Sequence, residues 1–212
     1  MFKNLSVLLL LVAFFQPVFA QKKEAEAVKK AFENYKSAIL NDKGSEAVKF
    51  VDSRTIKYYQ DVSDWVRNAD SAKVESLSLL DKFMVFTTRH RSTQEEQLAF
   101  NGKSLLIYAI NNGMVGKNSV ANNTIGEVII EDNFAKAQLV SRGKPAPLYF
   151  HFYKEDKQWK LDLTALFALS STGFKKMIEE SEETENDFLF NMLEMITGKR
   201  PDATIWKPAQ KD

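Results

Sequence analysis

The chain has 212 residues, 44% of them hydrophobic, with 29 Lys and Arg against 28 Asp and Glu and no Cys. That even balance excludes the strongly basic surface of a nucleic-acid binder. The absence of cysteine excludes disulfides, thiolate metal sites and cysteine nucleophiles, so the fold must rest on an apolar core, in a chain that has 16 Phe.

Lys3 gives a short positive start, Leu5 to Phe15 is an almost unbroken apolar run, and Pro17 precedes Val18-Phe19-Ala20, where a signal peptidase reads small residues. The pattern predicts a cleaved signal peptide over residues 1–20, because the run is shorter than the roughly 20 apolar residues of a spanning helix. No second run of that length follows. The mature protein is therefore expected to be secreted or periplasmic, with no integral membrane segment after cleavage. Residues 21–212 are expected to form a single domain. Their charge is balanced, since the first twenty residues carry one Lys and no acid.

From Glu24 to Leu40, Val28, Ala31, Phe32, Tyr35 and Ile39 fall on one helical stripe that ends at Asn41-Asp-Lys-Gly44. Ser45 opens a second helical pattern through Val48 and Val51, with a break near Asp52-Ser53. From Thr55 the set Tyr58, Val62, Trp65 and Ala69, joined by Ile56, Tyr59 and Val66, makes so wide an apolar face that a helix between two layers is expected. Val74 to His90 mixes helical spacing (Leu77, Leu80, Met84, Thr88) with the strand formers of Phe83 to Thr88. Its apolar residues do not alternate, so a buried helix is predicted. Thr93-x-x-Glu96 is a capping-box pattern for a helix to about Phe100. Lys103 to Asn112 reads as another helix, stopped at Gly113. The following Gly113-Met-Val-Gly-Lys-Asn118 lacks the spacing of a phosphate loop and reads as a turn.

Strand patterns begin at Gly126. Gly126 to Ile130 and Phe134 to Val140 form one hairpin around Glu131-Asp-Asn133. Leu148, Phe150 and Phe152, then Trp159, Leu161 and Leu163, alternate with polar residues to form a second. Either a two- or a four-residue loop sets Phe152 opposite Leu161, Phe150 opposite Leu163 and His151 opposite Asp162. Four strands in sequence order imply an antiparallel meander. Ala135, Ala137 and Leu139 share a face, where small side chains either admit a helix or leave a hollow. Thr172 to Ser181 and a helix capped at Thr184 and ended by Gly198 follow, and the tail around Trp206 supplies an apolar anchor. The acids between Glu179 and Asp187 read as a solvated cluster rather than a cation site, for want of a ligand-bearing loop.

The residues from Gly126 to Val140 and from Leu148 to Leu163, preceded by the helical segments Glu24–Leu40 and Ser45–Ala69, resemble the NTF2-like (cystatin-like α+β) superfamily. The likeness rests on helices before a meander that closes in a W-K-L-D-L hairpin, and covers about two thirds of the mature chain. It implies an α+β fold in which N-terminal helices pack on a curved antiparallel sheet of about four strands around a cone-shaped cavity. The longer helical run before the sheet and a helical C-terminal extension over residues 171–212 depart from the pattern. Some members are isomerases, dehydratases, hydrolases or cyclases and many only bind or dimerise, so fold does not settle function. No catalytic residue carries over by motif.

The polar face of the second hairpin is the constellation to test. It is expected to carry Tyr149, His151, Tyr153, Lys160, Asp162 and Thr164 together. If that face lines the cavity, Asp162 orients His151 as a general base, with Tyr149, Tyr153, Lys160 and Thr164 as ligand contacts. If it is the outer face, the same residues form a solvated surface or a dimer contact. The far more apolar Phe150, Phe152, Trp159, Leu161 and Leu163 are expected to face the helices. Arg89-His90-Arg91 sits at a helix end, where cations complement the dipole and an anion-binding role needs a partner. With His90 and His151 the only histidines, no metal site and no cofactor are expected. The resulting expectation is a non-catalytic exported binding module for a small apolar ligand or a partner protein. The alternative is a cofactor-free isomerase, dehydratase or hydrolase using a His151–Asp162 dyad. A homodimer is a third reading, which predicts an exposed apolar patch on the outer face of the sheet.

Overall fold

The computed structural model describes residues 5–209, with side chains from residue 21. The expected signal peptide over residues 1–20 therefore lies outside the described side chains. In chain order the elements are α1 (Leu5–Leu40), α2 (Gly44–Ala47), α3 (Ser53–Asn68), α4 (Ser71–Glu75), α5 (Leu79–Arg91), α6 (Gln94–Ala99), α7 (Gly102–Asn111) and α8 (Asn118–Ala121). Then come β1 (Asn123–Glu131), β2 (Phe134–Ser141), β3 (Lys144–Glu155), β4 (Gln158–Asp162), α9 (Phe167–Ser181) and α10 (Glu185–Thr197). The fold is α+β, with one antiparallel sheet in the order β1-β2-β3-β4. Among the described residues no helix is long and apolar enough to cross a membrane.

The chain divides into two compact, discontinuous units: Met1–Asp52 with Ile110–Asp162, and Ser53–Ala109 with Leu163–Asp212. The first is the sheet unit. Alternation in β2, β3 and β4 turns Ala135, Ala137, Phe150, Phe152, Trp159 and Leu161 to one buried face. Against it lies the α1 stripe of Val28, Phe32, Tyr35 and Ile39, with the Phe32 and Phe150 rings 5.1 Å apart. The small side chains of β2 thus admit a helix. Polar contacts fix α1 at its middle and near its C-terminal end. Glu24 Oε2 accepts from Lys154 Nζ and Trp159 Nε1, each at 2.7 Å, and Lys36 Nζ donates to the Asn123 carbonyl at 2.8 Å. The Lys154 hydrogen bond, followed by that of Trp159, holds the Glu24 carboxyl below its ordinary value.

The second hairpin has the two-residue loop. Glu155 pairs with Gln158, and Asp156 and Lys157 both take positive φ (49° and 64°), as a turn matched to the right-handed strand twist requires. Phe152 faces Leu161 and His151 faces Asp162. The expected pairing of Phe150 with Leu163 does not form, because β4 ends at Asp162. Leu163 instead turns into the short helix Thr164–Leu166, and its N–H donates to Thr55 Oγ1 at 2.9 Å.

The second unit is helical. The predicted helix over Val74 to His90 is two helices, since Ser78 caps α5 by accepting from the Asp81 N–H at 3.3 Å. The expected helical C-terminal extension follows the sheet, and α5 packs on it through ring pairs. Phe83–Phe174, Phe86–Phe190 and Phe86–Trp206 have centroids 5.3, 5.5 and 4.7 Å apart. Lys82, 2% exposed, is met by Glu185 at 2.7 Å and Glu75 at 3.2 Å, so part of the acid-rich corner at the start of α10 neutralises a buried ammonium.

Two phenols of α3 give this unit an alkaline limit. Burial pushes Tyr59 up from 10.0 to about 12. Burial, reinforced by the Asp81 carboxylate that its hydroxyl donates to at 2.9 Å, pushes Tyr58 up as well. The folded chain keeps protons that the unfolded chain releases near pH 10. The stabilisation is therefore complete below pH 10 and is lost as pH rises through 12. For Tyr59 alone the loss amounts to about 2–3 kcal/mol. Urea midpoints measured between about pH 9 and pH 12 are expected to fall steeply over this window. Tyr59→Phe keeps the ring and is expected to flatten the slope; an unchanged slope in that variant would assign the limit elsewhere.

Candidate functional site

The sheet face turned away from α1 carries most of the residues singled out in the hairpin. Tyr149 pairs with Gln138, His151 with Lys136 on one side and Asp162 on the other, and Tyr153 with Phe134 and Lys160. The Phe134 ring sits 5.2 Å from the His151 ring, nearly perpendicular, and 5.0 Å from that of Tyr153. Lys160 reaches Glu155 at 3.6 Å. Tyr149, His151, Tyr153 and Lys160 are half-buried and Asp162 is buried. Thr164 starts the short helix beyond the strand.

A concave site lies in the helical unit, built from the junction of α5 and α6 and from the tail after α10. The junction is set by local chemistry. Arg89, His90 and Arg91 fill the last turn of α5, the favourable end for cations. Thr93 and Glu96 then cap α6 reciprocally, as the sequence predicts. Arg89 points inward, 8% exposed, and spreads its guanidinium over four carbonyls. Nε donates to Val66 at 3.1 Å, Nη1 to Ile205 at 3.0 Å, and Nη2 to Trp65 at 2.9 Å and Ala69 at 2.6 Å. Three of those carbonyls terminate α3, so Arg89 ties that helix end to the tail. Burial lowers its pKa from 12.5 to about 10, which leaves it charged at neutral pH.

Two glutamines hold the other wall. Gln97, nearly buried, donates through Nε2 to the carbonyls of Arg89 (3.1 Å) and Ser92 (2.9 Å), and Gln94 donates to the Ala209 carbonyl at 2.7 Å. The tail turns at Gly198 (φ 73°), is capped at Asp202 by the Thr204 N–H at 2.8 Å, and docks through buried Ile205 and the ring of Trp206. Thr204 bonds to the Asp202 carboxylate through both N–H and hydroxyl, and these bonds lower its pKa, with Lys199 and His90 adding smaller attractions. His90 Nε2 lies 3.0 Å from Thr197 Oγ1, which itself donates to the Leu193 carbonyl at 2.7 Å.

Together these side chains enclose a cavity of about 480 Å³, lined by Arg89 and His90, by Gln94 and Gln97, and by tail residues from Lys199 to Ala209. The hairpin residues named from the sequence do not line it. Only the cations at the end of α5 were visible as a signal in the sequence. Among the described residues no group of three or more His, Asp and Glu is arranged to hold a metal ion. No protein-family model, curated protein or solved structure matches the chain.

Proposed function

We propose that the protein is an exported, secreted or periplasmic, non-catalytic binding module whose small ligand occupies the cavity between the α5–α6 junction and the C-terminal tail. The observation that carries this reading is the way the walls are held. Arg89, Gln94 and Gln97 donate to main-chain carbonyls rather than to one another, which holds open a recess of ligand size. The polar groups there are committed to structure: His90 is hydrogen-bonded to Thr197, and Asp202 caps the tail turn. Their arrangement suits a receptor better than a general acid–base pair. A helix laid across a four-stranded meander also supports the NTF2-like resemblance, a group in which binding without catalysis is common. The recess is too polar to favour the small apolar ligand expected from the sequence. On the sheet, Ile129 is the one large apolar side chain left exposed among the described residues, which lends the homodimer little support.

Non-denaturing mass spectrometry of the protein purified from its exporting cells tests this. The expected spectrum shows a chain beginning at Gln21 with one small-molecule adduct, which disappears on acid denaturation. A bare chain, with no thermal shift across a panel of small metabolites, would end the reading.

A further inference from the structure

The charge lining the cavity narrows the ligand, on the premise that the cavity is a binding site. Arg89, Lys199 and Lys207 line it against a single acid, Asp202. Among the described residues no carboxylate lies within ion-pair distance of Arg89, Lys199 or Lys207, whereas Lys82, the other deeply buried cation of the same unit, has two. The four partners of Arg89 are neutral carbonyls, three of them at the end of α3, whose dipole supplies about half a negative charge. That offsets part of the guanidinium charge. The ammonium of Lys199 or Lys207 offsets Asp202, and the other is left over. The balance is an excess of about one and a half positive charges facing a recess with partly desolvated walls. Burial lowers the Arg89 pKa, and no carboxylate is close enough to raise it again.

We propose that the cavity binds a small molecule bearing an oxyanion, a carboxylate or a phosphate, held between Lys199 and Lys207 over the buried Arg89. Both lysines are exposed, so they can be changed without disturbing the core.

Calorimetric titration at low salt with inorganic phosphate, succinate and neutral succinamide tests it, using the whole mature protein and the double variant K199Q/K207Q. Saturable binding of phosphate, succinate or both is expected, with no heat from succinamide. Binding of phosphate alone points to a phosphorylated ligand, and of succinate alone to a carboxylic acid. The double variant is expected to keep its unliganded melting temperature and to bind about tenfold more weakly, the worth of two exposed ion pairs. Equal affinity in the variant, binding of succinamide, or no binding of either anion by the wild type at about 10 mM each overturns the proposal. If an uncharged adduct is nevertheless seen by mass spectrometry, the cavity reading survives and only the anion assignment falls. If neither adduct nor anion binds, both fall.

Discussion

Arg89→Ala is expected to destabilise the helical unit by about 3–5 kcal/mol, a large part of what a unit of this size commands. The guanidinium donates to four carbonyls, but their losses are unequal. Trp65 O keeps the Ala69 N–H at 2.9 Å and Val66 O keeps the Ala209 N–H at 3.3 Å. The carbonyls of Ala69 and Ile205 lose the Arg89 donor, and each buried unsatisfied acceptor costs about 1–3 kcal/mol. Removing a buried cation returns some desolvation energy, while truncation to Ala leaves a void. Arg89→Met fills that void without restoring a donor, so it is expected to recover only part of the loss. Urea unfolding followed through Trp65 and Trp206 fluorescence measures the effect. An alanine variant within about 1 kcal/mol of wild type would mean that water takes over the carbonyls.

Gly102→Ala is the second large effect, and here a sign decides. Alanine is the better helix former by about 1 kcal/mol. Yet a Cβ at this first residue of α7 would sit 2.3 Å from the Ile56 carbonyl oxygen and 2.7 Å from the Gln60 nitrogen, both main-chain atoms of α3. Main chain cannot swing aside as a side chain does, so the helices must separate. The hydrogen bond from the Gly102 N–H to Gln60 Oε1 at 2.8 Å would be strained with them. A net loss of about 3 kcal/mol is expected. Gly173, inside α9 with nothing within 4 Å of an added Cβ, is the control: Gly173→Ala is expected to stabilise by about 0.5–1 kcal/mol. The same substitution thus raises the melting temperature at one site and lowers it at the other. A Gly102→Ala variant as stable as the wild type or more so would contradict the close approach of α7 to α3.

What the sequence made legible was local. A period of two over residues 148–161 fixed the register of His151 with Asp162 and of Phe152 with Leu161, because a one-residue slip would expose every apolar side chain. The capping box at Thr93 and the stop at Gly198 were equally readable. The end of β4 was not, since Leu163 leaves the strand for a hydroxyl 108 positions away in sequence, that of Thr55. The split between α4 and α5 did leave a mark, the Ser78-x-x-Asp81 cap, hidden behind strand-forming neighbours. The cavity left none. It joins residues 89–97 to 199–209, and the polar side chains at its wall follow no period. Arg89 could be read as a cation at a helix end, but its inward direction depends on carbonyls from two other segments.

Neither unit is contiguous in the chain, and this bears on how the protein is made. A ribosome that has delivered residue 109 has produced the start of both bodies and the finish of neither. Strand β4 must emerge before the sheet can close over α1, and the last ten or so residues before the helical body is sealed. At about 5–20 residues per second, several seconds pass in which greasy surfaces from both halves are bare at once. A chain built this way should lean on a holding chaperone until both bodies have closed.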